Sequence, residues 1–443
     1  MSQHRRKLLA KMAATAALGS VAGCLGVQES GESNTEEPDE STETTTSGDS
    51  DDSDGSNEQE SLPMLEPENS GGSATLWHAR REAERRSLQD QVSRFNDDYD
   101  QSVSADEVAE LGTRTETAIP AGQGPHSFDH AHDWAGKYYQ NGWVVDESDS
   151  LRLDLSEYFT EVAAQAAQFD GATVGLPYAA ETVGLVYNTE MVDEPPETVS
   201  EMRSIMDEHH APSEGTYGLS YPVDPYFVSA WVHAFGGFYY DDANDELGLE
   251  NDATVEGLQY YMDNFAPYMP DSPDYGAQAD VFKQGRAPFA INGPWFLGSA
   301  ADAGIDTGVA PLPAADGSEP SPYTGVKLLF FSKKMGSGAD ADATASREFA
   351  EWYTTNTDVL RTLAEEHSYI PVHRDLADSD DLPDTVGGYA AAVQQGYAMP
   401  TNPKMQGVWG PVGDAITRVY NGQAEPAGAL STAADEVRDN WNS

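Results

Sequence analysis

Gly184-Leu185-Val186-Tyr187 is an unbroken apolar run, and ten residues later the stretch Glu197–His209 carries Val199, Met202 and Met206 at helical spacing. A short apolar run bounded by glycine reads as a strand buried on both faces. Apolar residues at i, i+3 and i+7 read as a helix with one inward stripe. Toward the N-terminus, Ala74-Thr75-Leu76-Trp77-His78 is another short strand after Gly71-Gly72, followed by a helical pattern from Arg81 to Asn96 with Leu88, Val92 and Phe95 inward. Toward the C-terminus, Thr254–Phe265 and Ala343–Tyr353 are helical. Tyr323–Ser332 is a β-rich run ending Leu328-Leu329-Phe330-Phe331, and Gly413–Tyr420 and Pro426–Trp441 are helical again. Strands alternating with helices predict an α/β chain in two lobes, with about 370 ordered residues.

Of 443 residues, 76 are Asp or Glu and 24 are Lys or Arg, a formal net charge of −52. Such a chain has no basic surface for a phosphate backbone, which excludes nucleic acid as a partner. Residues 28–60 carry 13 acidic and no basic residues, and residues 1–27 carry four basic and no acidic ones. That leaves 20 basic against 63 acidic from Ser61 onward, or −43. A body that repels itself this strongly is expected to work at very high salt, where the Debye length falls to ~3 Å.

The first residues read as an address. Arg5-Arg6 precede an apolar stretch from Met12 to Ala22, which at ~16 Å of helix is too short to span a bilayer. The paired arginines resemble a twin-arginine export signal, and Val21-Ala22-Gly23-Cys24 resembles a lipobox whose cysteine becomes the lipidated N-terminus. One cysteine excludes a disulfide framework and a cysteine zinc site. From Gln28 to Ser61 the chain is Ser, Thr, Glu, Asp and Gly with almost no aliphatic residue, a composition expected to stay disordered as a charged tether. The expected organisation is a signal peptide over 1–23 and a lipidated Cys24 with its tether over 24–73, holding the domain outside the cell membrane.

The signatures of common enzymes are absent: GxSxG, a P-loop, GxGxxG after a strand, and HExxH. His126, His130 and His132, with Asp129 and Asp133 beside them, raise a metal reading, but the same stretch reads equally as a strand and the loop after it. Trp134, Trp295 and Trp409 each stand near Gly or Pro and are expected in loops. Sugar rings stack their C–H faces on such indoles while their hydroxyls bond to carboxylates and amides; packing between lobes is the competing reading for each ring.

Five stretches in sequential order resemble family 1 of the extracellular solute-binding proteins, and within it the maltose/maltodextrin-binding proteins of ABC importers. Gly124-Pro125 with Ala131-His132-Asp133 resembles a first-lobe loop that reaches the sugar. Gly175-Leu176-Pro177-Tyr178-Ala179-Ala180-Glu181 with Leu185-Val186-Tyr187-Asn188 resembles a lobe-crossing strand. Asp224-Pro225-Tyr226-Phe227 resembles an EPYF element with Asp in place of Glu. Phe282-Lys283-Gln284-Gly285-Arg286-Ala287 through Ile291-Asn292-Gly293-Pro294-Trp295 resembles the stretch bearing a stacking tryptophan. Met399-Pro400 and Val408-Trp409 resemble the segment bearing another. The likeness runs from about residue 74 to 441.

The resemblance implies a two-lobed periplasmic-binding-protein-like fold with the ligand cleft between lobes. Lobe one would hold 74–182 and 327–382, and lobe two 183–326 and 383–443. It implies a non-enzymatic carrier without cofactor or metal that closes on a sugar or oligosaccharide. The loaded monomer would dock on permease subunits served by a separate ATPase. The implied ligand-binding residues are Asp133, Trp134, Glu181, Asp224, Tyr226, Trp295 and Trp409. Where the maltose binders carry an Arg after AHD and a Trp upstream of it, this chain has Trp134 and His130, and the Lys and Asp of their first loop have no clear counterpart around His78–Arg81. A secreted glycoside hydrolase would need a carboxyl pair. A phosphorylated cargo would need Arg or Lys in the cleft, where the matched positions offer Trp, Asp and Glu.

Overall fold

The computed structural model describes residues 61–442 apart from 81, 316, 337–339, 378 and 380. The signal peptide, Cys24 and the tether up to residue 60 lie outside the described residues. Among those described, no helix is long and apolar enough to cross a membrane.

Two mixed sheets organise the described residues 61–442. In the first, β1 (Ser73–His78) runs parallel to β2 (Ser102–Glu107) and to β3 (Ser127–Ala131). The long strand Tyr323–Phe331 lies antiparallel to β3 on one side and to β4 (Gly175–Glu181) on the other. In the second sheet, β5 (Gly184–Asn188) is flanked by two antiparallel neighbours. One is β7 (Phe289–Asn292), which pairs parallel to β6 (Leu219–Ser220); the other is β8 (Thr307–Ala310). Tyr323–Phe331 is β9, and β10 (Tyr397–Ala398) pairs with its first two residues. The chain therefore crosses from sheet to sheet between β4 and β5, through Thr182 and Val183 alone.

The buried apolar side chains form two clusters, the first of which also takes in Val186 and Ala290 from the second sheet. Leu76, Phe128, Leu328, Phe330 and Trp352 belong to the first, and Leu185, Leu219, Trp231, Tyr261 and Ile291 to the second. Leu88, Val92 and Phe95 are buried on the helix Glu82–Asp98, as their spacing predicts. The helix Val199–His209 buries Val199, Met202 and Met206. It begins at a capping box in which Thr198 and Glu201 bond each other's backbone N–H groups. The helices Pro225–Ala234, Tyr275–Lys283, Thr357–His367 and Asp384–Gln394 complete the layers without having been anticipated from the sequence. Only Asn356 separates Thr357–His367 from the helix Ala341–Thr355, so the two helices run on from each other in sequence. The Asn356 side chain caps Thr357–His367 by accepting from Asp358 and Val359.

Order begins where the Ser/Thr- and acid-rich composition ends, earlier than the tether boundary drawn at residue 73. Residues 62–73, assigned above to the tether, form a strap held on the first core. Leu62 and Leu65 donate their backbone N–H groups to Asp375 (2.8 Å) and Thr355 (2.9 Å), and Ser73 donates to Asp342 (2.7 Å). Pro63 and Glu66 carbonyls accept from Tyr158 and Arg152. Leu62, Met64 and Leu65 pack against the core, which supplies the apolar burial that residues 28–60 lack.

Candidate ligand cleft

Between the two sheets opens a cavity of about 830 Å³. Its position follows from topology: β1 and β3 are parallel, and the cavity lies beyond their carboxyl ends, where loops can converge without breaking the ladder. β1 delivers Arg80, β3 delivers Asp129 and His130, and the turn His132–Trp134 delivers Trp134. β4 contributes Tyr178 and Glu181, β9 contributes Lys327, and the turn Pro294–Phe296 after β7 contributes Trp295 from the second sheet.

The floor is made of two ion pairs. Arg80 Nε donates to Asp129 Oδ2 at 2.7 Å, and its Nη1 donates to the Tyr353 hydroxyl at 2.7 Å. The guanidinium carbon lies 4.7 Å from the centre of the Tyr178 ring, whose hydroxyl donates to Asp129 Oδ1 at 2.7 Å. Burial works against the Asp129 charge, but Arg80, Lys327 and the Tyr178 hydroxyl together hold its carboxyl below the usual range. The second pair joins Lys327 Nζ to Glu181 Oε2 at 3.0 Å. Burial opposes the ammonium charge too, yet the carboxylates of Glu181 and Asp129 raise its pKa.

The seven residues implied by the resemblance divide. Trp134, Glu181 and Trp295 line the cavity; Asp133, Asp224, Tyr226 and Trp409 are not among its lining residues. Trp295 leaves 42% of its surface exposed, with its ring 6.3 Å from Tyr226 and 6.2 Å from Phe227. Trp134 stacks on Tyr138 at 5.7 Å and meets His130 edge-on. Tyr226 donates its hydroxyl to the Glu181 carbonyl (3.2 Å). Asp224 caps the helix Pro225–Ala234 by accepting from the Tyr226 N–H. Trp409 is the first residue of the helix Trp409–Tyr420 rather than a loop residue; its ring meets Tyr323 at 5.6 Å. Asp133 is buried and accepts from Gln406 Nε2 at 3.1 Å, and burial pushes its pKa up to about 6.

The histidines do not converge. His126 Nδ1 accepts from the Thr75 N–H, while His132 Nδ1 accepts from the Val326 N–H and its Nε2 donates to the Met399 carbonyl. Those bonds fix His132 as a neutral Nε2–H tautomer, and burial lowers its pKa to about 4. Among the described residues, no group of three or more His, Cys, Asp or Glu side chains could hold a metal ion.

Arg80 and Lys327 were missed from sequence, while Asp129 entered only as a metal candidate and Tyr178 only within a motif. Lys327 carried a signal: it is the lone charge in the apolar run Tyr323–Phe331, and a cation there needs a partner. The matched positions offer Trp, Asp and Glu, but the cavity has residues that the motifs do not reach. It holds Arg80 and Lys327, each already neutralised by a carboxylate.

Residues 90–407 match the family model of the bacterial extracellular solute-binding proteins. The maltotriose-binding protein of Pyrococcus abyssi (strain GE5 / Orsay) is 38% identical over 361 residues, covering 80% of this chain and 79% of its own. The galactooligosaccharide-binding protein of Bacillus subtilis (strain 168) is 24% identical over 393 residues, 84% of this chain and 90% of its own. A cyclo/maltodextrin-binding protein solved with maltotetraose superposes with a TM-score of 0.73 at 25% identity, over 83% of this chain and 97% of the other. The maltotriose binding protein of Thermus thermophilus, bound to maltotriose, gives a TM-score of 0.71 at 26% identity, over 83% of this chain and all of the other.

Proposed function

Because this chain belongs to the bacterial extracellular solute-binding proteins, we propose that it captures a neutral oligosaccharide of the maltodextrin type and hands it to an ABC importer. The observation that carries this reading is the chemistry of the cavity. Four carboxylates line it (Glu84, Glu110, Asp129 and Glu181) against two cations, both already paired, so an anionic cargo would meet net negative charge. Trp134 and Trp295, contributed by different sheets, offer the flat apolar faces on which pyranose rings stack. The lobes proposed are 74–182 with 327–382 and 183–326 with 383–443, turning about the crossing segments to close on the ligand.

This is a carrier's site rather than a hydrolase's. A glycosidase pair needs one carboxyl kept protonated in reach of the substrate. Asp133, whose pKa burial pushes up to about 6, is buried against Gln406 and is not among the residues lining the cavity. Incubation with maltodextrins under binding conditions is expected to release no shorter product.

Trp295→Ala is expected to weaken maltotriose binding by ~1–3 kcal/mol, roughly 5- to 150-fold in Kd, as for other desolvated aromatic anchors. Calorimetry in molar salt measures it. Affinity equal to the parent's would remove Trp295 from the site.

The lipobox and the paired arginines support the further reading that the protein is exported folded and held outside the membrane by a lipid on Cys24. Cys24→Ser is expected to move it from the membrane fraction to the medium. Unchanged fractionation would exclude the anchor.

A further inference from the structure

Glu181 is the acid that the resemblance assigns to sugar hydroxyls, yet three features of the neighbouring strand decide where its carboxylate sits. Gly325 faces Glu181 across the β4–β9 ladder. A Cβ at 325 would lie 2.8 Å from Glu181 Cγ and 3.1 Å from Oε1, so a larger residue there would displace the Glu181 side chain from its place across β9. Two residues on, and therefore on the same face, Lys327 meets Glu181 Oε2 at 3.0 Å. Immediately after Lys327 the ladder slips: Lys327 faces Ala179 but Leu328 faces Pro177. The residue passed over is Tyr178, which holds Asp129 and lines the same cavity. Irregularities of this kind re-aim side chains beside functional sites.

We propose that Lys327 is a specificity-determining residue of the cleft, acting with Glu181 as one donor–acceptor pair that reads two adjacent hydroxyls of a neutral sugar. The pair rests on the oligosaccharide reading above and deepens it. An ammonium carries three N–H donors, and Glu181 Oε2 takes one; a carboxylate offers about four acceptor sites, and Lys327 takes one. Both groups line the cavity, with 31% and 18% of their side-chain surfaces exposed, so each keeps bonding capacity for a ligand. A vicinal diol satisfies both: one hydroxyl accepts from Nζ and its neighbour donates to the carboxylate. An anionic group would face Glu181 and Asp129, and a cationic one Lys327 and Arg80. Charged cargo is thus disfavoured whichever its sign.

The test uses the full chain in molar salt, titrated with maltotriose and with its monodeoxy analogues. In the parent protein, at least one analogue is expected to bind roughly ten- to hundredfold more weakly, the loss of a hydrogen bond to a charged group. Lys327→Met is expected to weaken maltotriose by a similar factor and to bind that analogue and maltotriose alike. Such coupling is absent if Lys327 only supports the fold. Parent protein that binds every monodeoxy analogue within twofold of maltotriose overturns the proposal without any variant. Lys327→Met that keeps the parent's discrimination overturns it too. If the parent binds no neutral oligosaccharide at all, the oligosaccharide reading falls and takes the pair with it.

Discussion

Arg80→Met is expected to destabilise the fold by about 3–5 kcal/mol, the cost of breaking a buried ion pair from one side. The side chains of Arg80 and Asp129 are only 4% and 8% exposed, so removing the guanidinium leaves a carboxylate with little water to replace it. Met fills much of the volume, which confines the loss to the charge, the bond to the Tyr353 hydroxyl and the stacking on Tyr178. Urea denaturation in constant molar salt measures the change. The double variant Arg80→Met/Asp129→Leu separates causes: with both charges gone, much of the loss is expected to return. A single variant within about 1 kcal/mol of the parent would show that water or Lys327 already neutralises Asp129.

Dilution of salt is expected to have the larger effect on the whole molecule. From Ser61 onward the chain carries 20 cations against 63 acids. Several of those cations are unavailable to the surface: Arg80, Arg347 and Lys327 are committed to Asp129, Glu147 and Glu181, and Arg152 to Glu351. The excess negative charge is therefore concentrated where salt screens it. Going from molar to about 0.02–0.05 M salt stretches the Debye length from ~3 Å to roughly 15–20 Å, so carboxylates that ignored one another begin to repel. We expect the far-UV dichroism to collapse or the melting temperature to fall by tens of degrees on dilution, reversibly on restoring salt. A melt that does not move with salt would contradict the high-salt reading.

What could be read from the sequence was the part governed by periodicity. Val199, Met202 and Met206 declare a buried helical stripe, and the apolar runs at 184–187 and 328–331 declare central strands, because burial on both faces leaves no room for polar residues. Among the site residues, Trp134, Glu181 and Trp295 were found through ordered motifs and lie in the cavity wall. The floor was not legible. Arg80 and Asp129 are 49 residues apart, and their pairing exists only because β1 and β3 are neighbours in the sheet. Asp129 drew notice only for the histidines beside it, which pointed to a metal and not to Arg80. Trp409 was misplaced for a local reason: Gly410 and Pro411 suggest a loop, but proline in a first helical turn forfeits an N–H that would be unbonded there anyway.

The strap bears on how force and motion reach this molecule. Its bonds run to Asp375, Thr355, Glu348, Asp342, Tyr158 and Arg152, all around the first core and none on the second sheet. A leash fastened to one jaw of a clamp does not stretch when the other jaw swings. In the closure proposed above, a pull entering at Ser61 is borne by that one jaw, and closing on a ligand does no work against it. Under the anchoring and closure proposed above, the half that carries the strap is the stationary one and the other half travels.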